Sequence, residues 1–105
     1  MTKKRPQKIE IVLERIWDCL LTGKYILTRH AIDRQKERSI NLAETLHILK
    51  TGYEEKNKTC FDDKQNTWKY AIRGKTILSS KDVRIIIAFE EDGMLVITVM
   101  HVGDI

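Results

Sequence analysis

With one proline and five glycines in 105 residues, collagen-like and low-complexity chains are excluded. Two cysteines, Cys19 and Cys60, form no close-spaced pair. They make no disulfide scaffold and fit a reducing cytoplasm as buried apolar residues. No apolar run approaches the roughly 18 residues of a membrane span, so no membrane partner is expected. "MTKKRPQK" is basic, but the "IEIVLERIWDCLL" after it carries charges at Glu10, Glu14, Arg15 and Asp18, which argues against a secretory signal. The chain has no G-x-x-x-x-G-K-[ST], no G-x-G-x-x-G and no H-E-x-x-H, so nucleotide-dependent chemistry and zinc proteolysis have no support. His30, His47, His101 and the cysteines lack ligand spacing. Neither a metal nor a cofactor is expected.

What is present is charge, unevenly placed. Residues 1 to 38 hold ten Lys or Arg against five Asp or Glu, and the remainder holds nine against ten. A basic first third points to an acidic partner or simply to a solubility surface. We expect a basic, mobile tail at 1–7 and a single α+β domain over 8–105.

From Lys8 to Leu21 the apolar residues Ile9, Val12, Leu13, Ile16, Trp17, Leu20 and Leu21 keep helical spacing, and Gly23 stops the helix. Thr28 caps a second helix running to about Arg38. Asn41 caps a third, with Glu44 completing a capping-box-like pair. Leu42, Leu46, Ile48 and Leu49 form its core stripe, and Gly52 ends it. The period then changes. "WKYAIRG" alternates, "VRIIIAFE" is β-branched, "MLVITVMHV" follows, and a further strand is expected around Lys56 to Phe61. Helices followed by a meander define an α+β class, with N-terminal helices on a twisted antiparallel sheet of three to four strands.

Asp92-Gly93 reads as a two-residue type I′ hairpin turn. Counting outward pairs Phe89 with Val96, Ile86 with Val99 and Arg84 with His101. The last pair closes an otherwise apolar face, either as the rim of a site or as a solvated sheet edge.

"TRHAIDRQKERSI" places His30, Arg34 and Arg38 four residues apart, on one stripe of a helix. Asp33 and Glu37 run beside it, and weak surface ion pairs would explain such a face. Arginine at both cationic rungs is a more specific choice, because guanidinium binds phosphate through a planar fork. The pattern His30-Ala31-x-x-Arg34-x-x-x-Arg38-x-Ile40 resembles a bacterial family called domain of unknown function 4258. Its members show H-A-x-x-R-M-x-x-R-G-I, then a helix ending at glycine, then a strand meander. The resemblance spans roughly Leu27 to Val102 and departs at Gln35, where the family prefers methionine, and at Ser39, where it prefers glycine.

The resemblance implies a relation to RelE/ParE-like and BrnT-like toxins of toxin–antitoxin pairs, and a RelE-like fold. It implies RNA as partner, ribosome-associated mRNA among the forms, and a cognate antitoxin. Two functional readings follow. One is a metal-independent endoribonuclease, in which the RNA 2′-hydroxyl attacks its own phosphate. There His101 or His30 acts as base or acid, and Arg84, Arg34, Arg38 and Arg73 hold the phosphate. Tyr70 and Trp68 are candidates to stack a base, although core packing is the alternative for both and the favoured account of Trp68. The other reading is a non-catalytic nucleic-acid or protein-binding module.

Overall fold

The first helix, α1 (Val12–Thr22), buries Val12, Ile16 and Cys19. It starts four residues later than expected, and the Ile9 amide instead donates to the Tyr70 hydroxyl (2.9 Å). Gly23 adopts φ 72° and ends it, a left-handed conformation that glycine takes without penalty. Leu21, counted in the apolar stripe, is 88% exposed, because it lies on the helix flank opposite Ile16 and Cys19. These elements come from a computed structural model that describes residues 5–103; of the basic tail expected at 1–7, residues 1–4 lie outside the described residues.

After α1 come β1 (Tyr25–Leu27), α2 (Arg29–Glu37) and α3 (Leu42–Thr51). Thr28 caps α2 by accepting from the Ala31 amide (3.1 Å). Asn41 caps α3 by accepting from the Glu44 amide (2.8 Å). The reciprocal half of a capping box is missing: the buried Glu44 carboxylate accepts from the Ile77 amide instead (2.7 Å). The core face of α3 carries Thr45, Ile48 and Leu49, whereas Leu42 is exposed.

The remaining elements are β2 (Tyr53–Glu54), a 3-10 turn at Lys56–Lys58, β3 (Cys60–Asp62), β4 (Thr67–Lys75), β5 (Asp82–Glu90) and β6 (Gly93–His101). The fold is α+β: among the described residues there are three helices and a six-stranded sheet of order β1-β6-β5-β4-β2, with β3 also on β4. It is larger than the expected three to four strands because β1, β2 and β3 are too short to show a period. It is also mixed, since β1 runs parallel to β6. The helices bury one sheet face, where Tyr70, Ile72, Val83, Ile85, Ile87, Val96 and Val99 form the core.

The hairpin register differs from the count. Glu90 pairs with Gly93, so Glu91 and Asp92 make the turn and the near half lies two residues from the counted register, while a bulge between Ile86 and Ile87 takes back one of those two in the far half. Val83 therefore opposes His101, and Arg84 opposes Met100. Side chains directly opposed across a ladder share a face, so Arg84 and His101 lie on opposite faces of the sheet.

Ser39 sits at φ 54°, where a side chain meets its own backbone. This is the position at which the resembling family prefers glycine. Ser39→Gly is expected to stabilise the domain by up to about 1 kcal/mol, read as a thermal midpoint raised by a few degrees. An unchanged or lowered midpoint would count against strain at this turn.

Candidate functional site

Helix α2 lies along the outer edge of β6, taking over where β1 ends. The Thr28 amide donates to the Val96 carbonyl (3.0 Å), and the Thr28 hydroxyl donates to the Ile97 carbonyl (3.0 Å). The Arg38 guanidinium donates to the Val99 carbonyl. Three carbonyls along one strand edge thus find donors on one segment, as buried backbone acceptors require.

The ladder of rungs is real but rotates. Residues four apart turn by about 40° on an α-helix, and Ala31, fully buried, marks the inward direction. His30 is consequently exposed, while Arg34 and Arg38 are half-buried. Arg34 is ion-paired with Glu37 at 2.5 Å. At the far end the His101 Nε2 lies 2.9 Å from the Arg38 carbonyl oxygen. A carbonyl can only accept, so Nε2 carries a proton and donates. His101 and Arg38 meet, as a shared site requires, and each is engaged on backbone of the other's element.

Arg73 and Arg84 lie elsewhere, opposite one another on β4 and β5, on the sheet face away from the helices. Two guanidinium groups at directly opposed positions repel unless a carboxylate intervenes. Glu55 fills that role. Arg84 grips it with Nε (2.6 Å) and Nη2 (3.2 Å), and Arg73 Nη1 reaches it at 3.2 Å. Arg73 also holds Asp82 through Nε at 2.9 Å and Nη2 at 2.5 Å. The Arg84 hydrogen bonds, joined by Arg73, hold the Glu55 carboxyl below its ordinary range against the opposing effect of burial. Arg73 does the same to Asp82. Both arginines are held above their ordinary value in return, Arg73 chiefly by Asp82 and Arg84 chiefly by Glu55. Neither carboxylate stands out in the sequence; the Arg73–Arg84 register is the signal that demands one.

Tyr70 is buried in the core, its hydroxyl bonded to Ile9 and its ring tilted against Phe89. Burial pushes its phenol up. It presents no ring to a ligand. Trp68 packs edge-on against Phe61 (5.3 Å) and donates to the Pro6 carbonyl (2.8 Å). Cys60 is exposed rather than buried. The structure therefore gathers His30, Arg34, Arg38 and His101 along one edge, and places Arg73, Arg84 and Tyr70 apart from it. Among the described residues no three His, Cys, Asp or Glu side chains are placed to hold a metal ion, and no helix is long and apolar enough to cross a membrane.

These features define a small α+β domain in which a short capped helix seals the edge of a sheet and displays a cationic stripe. The chain belongs to the family described as Domain of unknown function (DUF4258), whose model matches residues 27–101. That span begins at the last residue of β1 and ends at His101, so it holds the whole α2 edge and leaves α1 outside. No curated protein and no solved structure matches the chain.

Proposed function

We propose that this domain binds single-stranded RNA along the exposed edge formed by α2, as a non-catalytic module. The observation that carries the reading is the exposed rim of that helix. Arg29, His30 and Lys36 are exposed, and Arg34 is half-exposed, while the inward residues of the same helix are used for packing. Ala31, Arg38 and Ile40 of the motif have evident structural work: two are buried and one seals Val99. His30 and Arg34 do not seal the fold in this way. Arg34 pairs with the exposed Glu37, a weak surface contact that a phosphate can replace, unlike the buried pairs of Arg73 and Arg84. This is expected of residues kept for a ligand. Arginine and imidazole at successive turns suit phosphate oxygens.

A relation to RelE/ParE-like and BrnT-like toxins, with ribosome-associated mRNA as ligand and a cognate antitoxin as partner, is the corresponding family-level proposal. Metal-independent cleavage is a second reading, favoured by one observation, the contact of His101 with Arg38. Binding is preferred because Arg84 and Arg73 are already matched by carboxylates on the other sheet face, so the phosphate clamp and the imidazole do not share a cleft.

The test is fluorescence anisotropy of the full chain with a labelled single-stranded RNA, at several salt concentrations in EDTA. The double variant His30→Ala/Arg34→Ala is expected to weaken binding about tenfold or more and to flatten the salt slope. Arg84→Ala, if it stays folded, is expected to leave affinity within about twofold. Unchanged affinity in the double variant would sink the proposal. RNA cleaved in EDTA by the parent chain, but not by His101→Ala, would establish the second reading in its place.

A further inference from the structure

On the sheet face away from the helices lies a groove of about 530 Å³ that the α2 stripe does not use. Its floor is aliphatic and low, with Ala88 opposite Leu95 and Ile97 beside them. One wall is the β3–β4 turn, where Gln65 and Asn66 line the groove. The other wall is Thr28, the cap of α2, one residue from Arg29 and two from His30. The turn is held before any ligand arrives. Asp62 Oδ1 accepts from the amides of Lys64 (2.9 Å) and Gln65 (3.2 Å), and its Oδ2 pairs with the Lys69 ammonium at 2.8 Å.

We infer that this groove is a subsite for one unstacked nucleobase of the bound RNA strand, a role that rests on the RNA-binding reading above. The volume falls in the range of small-ligand sites, and an aliphatic floor with a few fixed polar groups is their usual composition. The charges select the ring over the phosphate. Among the described residues lining the groove, Lys69 is the single cation and is matched by Asp62, while Glu90 adds a carboxylate to the rim. A free phosphate finds no net positive charge there. A base finds an aliphatic floor for its face, and the polar residues Gln65, Asn66 and Thr67 line the groove near its edge, the kind of group that reads the edges of splayed single-stranded bases. The backbone of the same nucleotide then lies at Thr28, beside the start of the cationic stripe.

The test is amide-resolved NMR titration of the full chain with uncharged nucleosides and, separately, with a short single-stranded RNA. Nucleosides are expected to shift Thr67, Lys69, Ala88, Leu95 and Ile97 and to leave α2 unmoved. RNA is expected to shift both sets. Asn66→Gly removes the amide and keeps the φ of 52° that Asn66 adopts; it is expected to weaken RNA binding about tenfold, the effect of losing one base contact. Leu95→Glu, which closes the floor to a ring, serves as the second variant. RNA shifts confined to α2, with affinity unchanged in both variants, would overturn the subsite and leave RNA binding standing. Nucleoside shifts in the groove without RNA binding would support a base pocket and overturn the RNA reading. No shift from either probe would overturn both.

Discussion

Glu55→Ala is expected to destabilise the domain by about 3 kcal/mol, the usual effect of removing one partner from a buried ion pair. The Glu55 side chain is 8% exposed, and those of Arg84 and Arg73 are 17% and 26% exposed. Removing the carboxylate leaves two guanidinium groups facing each other at opposed strand positions, with only Asp82 to answer them. For a domain of this size the thermal midpoint should fall by roughly 15 °C. Acid should reproduce part of the loss. Glu55 and Asp82 both have folded-state values below their unfolded ones. Their contribution is therefore full above the ordinary carboxylate range and is lost as pH falls through the depressed values. Urea unfolding at pH 7 and at pH 3 checks both points. The gap between parent and Glu55→Ala should be wide at pH 7 and narrower at pH 3. A gap below about 1 kcal/mol at pH 7, or the same gap at both values, would show that the pair contributes little. Glu55→Gln keeps the size and loses the charge, so it should fall between the two.

The parts of this fold that could be read from the chain are those that rest on local rules. Thr28, Asn41 and Gly23 cap helices because a side-chain oxygen or a left-handed backbone is needed there, and each does so in the structure. The long strands β4 to β6 show their period because each spans nine residues. The parts that could not be read depend on what lies across the fold. β1 has three residues and exists because β6 offers it an edge. Glu44 turns from its own helix end to Ile77, and only the position of the β4–β5 loop explains why. The same holds for the candidate site. The His30–Arg34–Arg38 spacing is visible in the chain, but its rotation toward β6, which leaves His30 outside and turns Arg38 onto Val99, follows from the burial of Ala31. The Arg84–His101 pairing fails through one misplaced turn and one bulge, each of which moves side chains relative to the partner strand.

Gly93→Ala should be the most costly of the glycine substitutions that bear on this misplaced turn, at about 2 to 3 kcal/mol. An aspartate-glycine pair between two strands suggests a glycine kept for positive φ, yet Gly93 is not among the residues with positive φ. It is the first residue of β6, and a Cβ there would meet the Lys24 carbonyl, with the carbonyl carbon at 3.0 Å. That carbonyl accepts from the Met94 amide (3.0 Å) at the start of the parallel β1–β6 pairing. Backbone, not a flexible side chain, would have to give way. Gly23→Ala offers the contrast. Gly23 has φ 72° and open space where a methyl group would stand, so only conformational strain applies, about 1 kcal/mol. Asparagine separates the two causes further, because it tolerates the left-handed region. Gly23→Asn should recover most of the Gly23→Ala loss, whereas Gly93→Asn should be no better than Gly93→Ala. Hydrogen exchange supplies the local readout: in Gly93→Ala the Met94 and Thr28 amides should exchange faster than those of β4, since β1 and the α2 cap are released together. Should Gly93→Asn prove harmless, the turn would be the left-handed hairpin that the dipeptide suggests, and the position of β1 against β6 would need another explanation. If Gly93→Ala also weakens RNA binding while the core stays folded, the β1 edge is what holds the cationic stripe of α2 in place.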